Sequence, residues 1–162
     1  MFINKIKLIK KIRRKKFFNI SFAESCTGGL LSSLFTQISG SSEFFDSSYI
    51  VYSNKSKINL LKVPKKILDS YGAVSKNASL HMAKCLYNKT KTDIVVSITG
   101  VAGPDGGTKS RPVGTVFFTV GSKKKEKMVY KTFHKKFNNL GRKKIQEKSA
   151  MFAIDQILKV LN

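Results

Sequence analysis

Nucleophilic side chains and glycines meet in the segment AESCTGG, at a predicted junction between a strand and a helix. Hydroxyl groups and free N–H groups at the start of a helix favour an anion pocket. The candidate binding residues here are therefore Ser25, Thr27, Gly28 and Gly29, with plain capping of the helix as the alternative. The thiol of Cys26 is also a candidate nucleophile, because a helix N-terminus lowers the pKa of a thiol.

A second hydroxyl-rich segment, GSSEFFDSSYIVYSNKSK, combines serine with tyrosine and lysine. Serine needs an adjacent base to remove its proton, and a desolvated lysine can be that base. A predicted strand over 47–53 carries Tyr52 back towards the loop that contains Ser42, and one helical turn places Lys57 near the tyrosine. The alternative interpretation is a solvated loop followed by the basic face of a helix.

The two histidines lie outside any recognisable catalytic motif. His81 falls within a predicted helix and His134 at the end of a predicted strand, so we interpret both as surface or packing residues. A Cys–His catalytic pair is therefore not predicted. The sequence also shows no cluster with metal-ligand spacing, so neither a metal nor another cofactor is expected.

The segment GVAGPDGGTKS (100–110) resembles a phosphate-binding P-loop, G-x-x-x-x-G-K-[ST], but has Thr108 in place of the second glycine. In a P-loop the lysine and serine begin a helix, whereas here Pro112 and a β-branched run follow. We therefore reject a nucleoside triphosphatase. A turn between strands is one explanation of the glycines, but a backbone that closely approaches a ligand explains their number better. The candidate binding glycines are Gly100, Gly103, Gly106 and Gly107.

Helices and strands alternate along the first two thirds of the chain, and two adjacent strands follow. This order predicts a layered α/β domain with a mixed sheet, and the length of 162 residues fits one domain over 1–162. Strands are predicted over 17–24, 47–53 and 93–100, then in GTVFFTV and KMVYKTF, which form a hairpin around 121–125. The main helices are predicted in the N-terminal segment and over 27–38, 64–72, 75–87 and 141–161.

The chain is strongly basic, with 31 lysine and arginine residues against nine acidic ones and a net charge of +22. Such a charge favours a polyanionic partner through counterion release. However, only four of the basic residues are arginine, the residue that phosphate-clamping surfaces favour. We therefore prefer a compositional origin of the lysines and expect neither nucleic acid nor a membrane as partner. Two cysteines without disulfide spacing indicate a cytoplasmic protein.

Five ordered segments, AESCTGG, GSSEFFDSSYIVYSNKSK, YGAVS, SITGVAGPDGG and RPVGT, together resemble the CinA C-terminal family. The resemblance covers nearly the whole chain. It implies a three-layer α/β/α domain that self-associates, most simply as a dimer. Larger family members carry a further N-terminal domain, so we expect the stand-alone form.

The resemblance also implies an activity, which is hydrolysis of the carboxamide of nicotinamide mononucleotide to nicotinate mononucleotide and ammonia, in pyridine nucleotide salvage. The serine, tyrosine and lysine of the family fall on Ser42, Tyr52 and Lys57. On that mapping Ser42 attacks the amide carbon, Lys57 is the base and Tyr52 relays or orients the proton. The glycine loops would then surround the substrate and supply N–H donors to its phosphate or to the oxyanion.

Two segments depart from the family pattern. Thr108 to Arg111 replace a Glu-Glu-Lys segment, and the pattern G-D-R-x-x-V-R becomes LGRKKIQ near the C-terminus. Arg142 keeps the first arginine as a candidate substrate-binding residue, whereas Gly141 and Gln146 replace the aspartate and the second arginine. The alternative function is therefore a non-catalytic protein of the same fold that binds a nucleotide or nucleic acid.

Overall fold

A five-stranded mixed sheet forms the centre of the protein in a computed structural model that describes residues 2–138 and 140–162. The strands lie in the order β2-β1-β3-β4-β5, with β1, β2 and β3 parallel to one another and β4 and β5 antiparallel. Their bounds are β1 Ile20–Glu24, β2 Phe45–Ile50, β3 Ile94–Gly100, β4 Thr115–Lys124 and β5 Lys127–Lys136.

Helices cover both faces of this sheet, because its central strands are apolar on both sides. One core packs α1, α2 and α6 against the sheet around Phe22, Phe35 and Phe118, and the other packs α4 and α5 around Val95 and Met82. The predicted three-layer α/β/α fold is therefore confirmed. The helices are α1 Phe2–Arg13, α2 Leu30–Thr36, α3 Asn54–Asn59, α4 Lys65–Tyr71, α5 Lys76–Thr90 and α6 Arg142–Leu161.

Several element boundaries differ from the prediction. Helix α2 begins only at Leu30, because Gly28 and Gly29 adopt left-handed backbone angles. Strand β4 continues through Gly121, where a side chain would lie 2.7 Å from both Tyr130 and Val95. This glycine therefore allows close packing within the sheet, and the hairpin turn is confined to residues 125–126.

The parallel strands bring the chemically interesting loops to one edge of the sheet. Strands β1, β2 and β3 all end there, so the turns that begin at Ser25, Val51 and Val101 are neighbours. Ligands in open α/β sheets bind at such carboxyl edges. Among the described residues, no helix is both long enough and apolar enough to cross a bilayer.

Candidate active site

A cleft of about 250 Å³ opens at the carboxyl edge of the three parallel strands. The turn after β1, the segment from β2 into α3, the loop after β3 and the first residue of α6 all contribute to it. Its polar and charged lining includes Ser25, Tyr52, Asn54, Lys57, Thr99, Asp105 and Arg142. Two of the three residues expected to be catalytic, Tyr52 and Lys57, therefore meet here.

The lysine of this cleft, Lys57, is held with only 1% of its surface exposed. A capping box between Ser53 and Ser56 fixes the start of α3 and so aims Lys57 back under the end of β2. Its Nζ donates to Ser25 Oγ at 2.9 Å, to the carbonyl oxygen of Val51 at 2.8 Å and to that of Tyr52 at 3.2 Å. Burial lowers the pKa of Lys57 from its ordinary value to about 8.

The three partners of Lys57 suit a neutral amine. Both carbonyl oxygens can only accept hydrogen bonds, and they match the two N–H groups that a neutral amine retains. Its lone pair is then left for the only partner that can donate, the hydroxyl of Ser25. Burial favours this neutral form by lowering the pKa of Lys57, and the hydrogen-bond geometry directs the basic electron pair at a serine.

Ser25 occupies a tight turn that joins β1 to α2. Its N–H donates to the carbonyl oxygen of Ile98 on β3, and its carbonyl oxygen accepts from the N–H of Gly28. A serine in a strand-to-helix turn is presented at the end of the sheet, as in the nucleophile elbow of the α/β-hydrolase fold. Ser25 was predicted as a binding residue, and its contact with Lys57 identifies it as a candidate nucleophile.

The anion pocket expected at the start of α2 is already filled by a side chain of the protein. The buried carboxylate of Glu24 accepts from the N–H groups of Gly29, Leu31 and Ser32 and from the hydroxyl of Ser32. Capping by Ser25 or Thr27 was the alternative, but Glu24 caps this helix instead. The available signal was a single acidic residue shortly before the helix, where a carboxylate stabilises the N-terminus.

Cys26 is not activated as a nucleophile. Burial raises the pKa of its thiol to about 12, and a hydrogen bond from its own backbone, Lys57 and Arg142 offset this only in part. Its backbone N–H is instead a potential hydrogen-bond donor to a bound ligand. Within residues 2–138 and 140–162, the N–H groups of Cys26 and Thr27 donate no hydrogen bond to another residue, although they directly follow Ser25.

Ser42 lies at the opposite edge of the sheet. It is exposed in a single 3-10 turn, Ser41–Glu43, that precedes β2, whereas Lys57 contacts the residues that follow β2. The six residues of β2 separate these two ends by about 17 Å. The expected grouping of Ser42 with Lys57 is therefore corrected, because a strand that ends at the cleft must begin far from it.

Tyr52 bridges the candidate base and the rim of the cleft. Its backbone oxygen accepts from Lys57, and its exposed hydroxyl accepts from the guanidinium of Arg142 at 2.9 Å. Arg142 also donates to the carbonyl oxygen of Gly103 at 2.6 Å and thereby joins α6 to the glycine loop. The tyrosine hydroxyl is thus positioned by Arg142 and not by Lys57.

The four predicted glycines separate into two groups. Gly100, Gly103 and Gly106 line the cleft, and Gly103 and Gly106 have left-handed backbone angles. Gly107 does not line it; a side chain there would meet the backbone of Val113 at 3.0 Å. Gly107 is thus required for packing within the loop, whereas Gly100, Gly103 and Gly106 form part of the cleft wall.

The remaining sequence candidates lie outside the cleft or at its margin. Gln146, which replaces an arginine of the family pattern, donates to the carbonyl oxygen of Cys26 at 2.9 Å and so supports the Ser25 turn from behind. His81 bonds within α5, and His134 stacks on Phe117 at the far side of the sheet. In the part of the chain that the structure describes, no three His, Cys, Asp or Glu side chains are grouped to hold a metal ion.

These features define a three-layer α/β/α domain with a serine–lysine cleft at the carboxyl edge of its sheet. The family model for the CinA C-terminal domain matches residues 4–161, so the chain belongs to this family. The resemblance predicted from the five motifs is confirmed. The similar solved structures include the competence/damage inducible protein CihA from Agrobacterium tumefaciens, with a TM-score of 0.92 and 28% identity over 99% of this chain and 96% of that one.

Curated relatives support the same membership. A CinA-like protein of Thermosipho melanesiensis is 41% identical over 155 residues, 96% of this chain, and one of Colwellia psychrerythraea is 50% identical over 103 residues, 64% of this chain. The chain spans only 37% and 24% of the length of these two relatives. Their names specify no reaction, so the chemistry has to come from the site itself.

Proposed function

We propose that this protein hydrolyses the carboxamide of nicotinamide mononucleotide, with Ser25 as nucleophile and Lys57 as base. The observation that carries the proposal is the 2.9 Å contact between the two side chains, made by a lysine whose burial lowers its pKa to about 8. Serine–lysine pairs of this kind perform acyl transfer without histidine. Ser25 thus takes the role that the family resemblance assigned to Ser42.

The reaction follows from the partners of Lys57. Its lone pair accepts the proton of Ser25 while Oγ attacks the amide carbon, and the resulting ammonium returns that proton to the departing nitrogen, which leaves as ammonia. Water then attacks the acyl-enzyme and gives a proton to Lys57, which passes it to the departing Oγ of Ser25; the product acid loses its remaining proton to solvent and leaves as the carboxylate. The N–H groups of Cys26 and Thr27 are candidate donors to the oxyanion, because the backbone N–H that directly follows a nucleophile commonly has this role.

The rim of the cleft carries charges that suit this substrate. The oxidised nicotinamide ring is cationic and the mononucleotide phosphate is anionic, so the substrate presents both signs. Arg142 and Asp105 supply one charge of each sign on the rim. We assign the phosphate to Arg142, which leaves Asp105 to face the cationic ring.

The direct test is ammonia release from nicotinamide mononucleotide by purified protein, with nicotinate mononucleotide identified as the second product. A Ser25→Ala variant serves as the matched control, because it removes one oxygen and leaves the turn intact. Turnover by the wild type and its loss in the variant are expected. A wild-type protein that binds the mononucleotide without hydrolysing it would replace the amidase with the non-catalytic alternative.

A further inference from the structure

A second cleft, of about 410 Å³, lies on the face of the sheet that α5 covers. It is bordered by the ends of α4 and β5, the start of α5 and the segment around residues 110–111. Its described lining contains no acidic side chain, and the basic ones are Lys76, Arg111, His134 and Lys136. Val74 lines both this cleft and the candidate active site, so only one residue's thickness separates them there.

The N-terminus of α5 faces this cleft. Ser75 caps the 15-residue helix by accepting from the N–H of Ala78. The N–H groups of Lys76 and Asn77 have no acceptor within a helix, because they belong to its first turn. No other described residue accepts from them. Two backbone donors and the positive end of the helix dipole are therefore directed towards the cleft.

A buried hydroxyl independently indicates a polar ligand. Thr115, at the start of β4, is part of the cleft wall and is only 3% exposed, yet its Oγ1 has no hydrogen-bond partner in the described part of the chain. Burying an unpaired hydroxyl is unfavourable, because the group loses its hydrogen bonds to water. Lys136 pairs directly with Thr115 across the β4–β5 ladder, so an acceptor between them would satisfy both side chains.

An aromatic surface lies beside these donors. His134 stacks on Phe117 with the ring centroids 4.5 Å apart and the planes inclined by 10°. The imidazole is exposed, and both residues line the cleft two positions along the strands from Lys136 and Thr115. A flat, exposed ring next to anion donors suits a ligand that joins an aromatic ring to a phosphate.

We propose that this cleft is a second binding site, distinct from the serine–lysine cleft, for a mononucleotide. The phosphate binds at the start of α5 between Lys76, Arg111 and Lys136 and accepts from Thr115. The base stacks on His134. The site does not depend on the proposed amidase activity, because none of these five side chains contacts Ser25 or Lys57.

The test is calorimetric titration of the full chain with adenosine monophosphate, inorganic phosphate and adenosine at about 0.15 M salt, where exposed charges are screened beyond about 8 Å. We expect saturable binding of the monophosphate at this cleft, weaker binding of phosphate and no binding of adenosine. Replacing either exposed lysine, as Lys76→Gln or Lys136→Gln, should weaken monophosphate binding about tenfold. His134→Ala should weaken the monophosphate but not phosphate.

Two controls separate this site from the rest of the basic surface. Lys131→Gln removes a lysine of the same strand that does not line the cleft, and Arg142→Gln perturbs only the candidate active site. Both should bind the monophosphate within twofold of the wild type. Three results would overturn the proposal. Equal weakening by Lys131→Gln would show general charge attraction, and loss of binding in Arg142→Gln would place the ligand in the other cleft. Absence of saturable binding would mean that the cleft is closed to ligand.

Discussion

The turn after β1 and the 3-10 turn before β2 both present serine side chains, but their surroundings have little in common. Ser25 is buried at the carboxyl edge of the sheet, with the amine of Lys57 at 2.9 Å. Ser42 is exposed at the amino edge, beside Glu43 in a turn of three residues. A serine hydroxyl is a poor nucleophile unless an adjacent base removes its proton. Only the surroundings of Ser25 therefore support nucleophilic attack.

The comparison of Ser25 with Ser42 shows that strand direction determines which residues of a motif can lie in one site. Tyr52 and Lys57 follow β2 and reach the cleft, whereas Ser42 precedes the same strand and cannot. The parallel partner β1 ends beside the end of β2, and the turn after it supplies the serine. The following changes test this distinction, in order of decreasing expected effect.

Replacing each of the two serines by alanine in separate variants should give the largest difference in kcat. Ser25→Ala should lower kcat for ammonia release by at least about 10³-fold, because it removes the attacking oxygen. Ser42→Ala should keep kcat within about twofold, since its side chain is in solvent. Steady-state assays with both variants measure this difference. A severe loss of kcat in Ser42→Ala alone would support Ser42, and not Ser25, as the nucleophile.

Loss of the buried amine should have nearly as large an effect. Lys57→Met should lower kcat by about 10²–10⁴-fold, the range expected when a general base is removed. Lys57→Arg should not rescue it, because a guanidinium cannot lose its proton in this pH range. Lys55→Met, an exposed neighbour on the same helix, is the matched control. Retained activity in Lys57→Met would exclude this lysine as the base.

The pH dependence of kcat should report the pKa of Lys57. The reactive form is the neutral amine, so well below pH 8 the rate should fall about tenfold for each unit of pH, and it should fall about fiftyfold between pH 8 and pH 6. Above pH 8 the rate should become constant as deprotonation is completed. A flat profile from pH 6 to 9 would contradict a lysine base with this pKa.

Removal of the rim arginine should give the smallest change. Arg142→Gln loses the contacts to the Tyr52 hydroxyl and to Gly103, together with the positive charge assigned to the phosphate. We expect KM for nicotinamide mononucleotide to rise about tenfold with a smaller change in kcat, the result of losing uniform binding. Lys143→Gln, the next position of α6, should leave KM unaltered; equal effects of the two variants would indicate general attraction by the basic surface.

Much of the fold could be predicted from the sequence, because its signals are local. The continuous apolar run of β3 predicted a strand buried on both faces, and Pro64, Gly72 and Ser75 marked helix ends at the positions observed. Gly121 misled the prediction, since a glycine within a strand and a glycine in a turn look alike. Only the close approach of Tyr130 distinguishes them.

The candidate site was predictable in its parts but not in its pairing. Lys57, Tyr52 and Arg142 were recognised from their motifs, and the structure brings them together in one cleft. The partner of Lys57 depends on the order of strands in the sheet, which no local pattern contains. Similarly, the low pKa of Lys57 and the high pKa of Cys26 both arise from burial by distant segments.

The burial of Lys57 under the end of β2 also makes it chemically different from an ordinary, exposed lysine. At pH 7 about a tenth of a lysine population with a pKa near 8 is unprotonated, against fewer than about one in a thousand for an ordinary lysine. A small electrophile such as cyanate should therefore carbamoylate this position first, if it enters the cleft. A protein covered with amines would thus offer a single preferred point for covalent labelling.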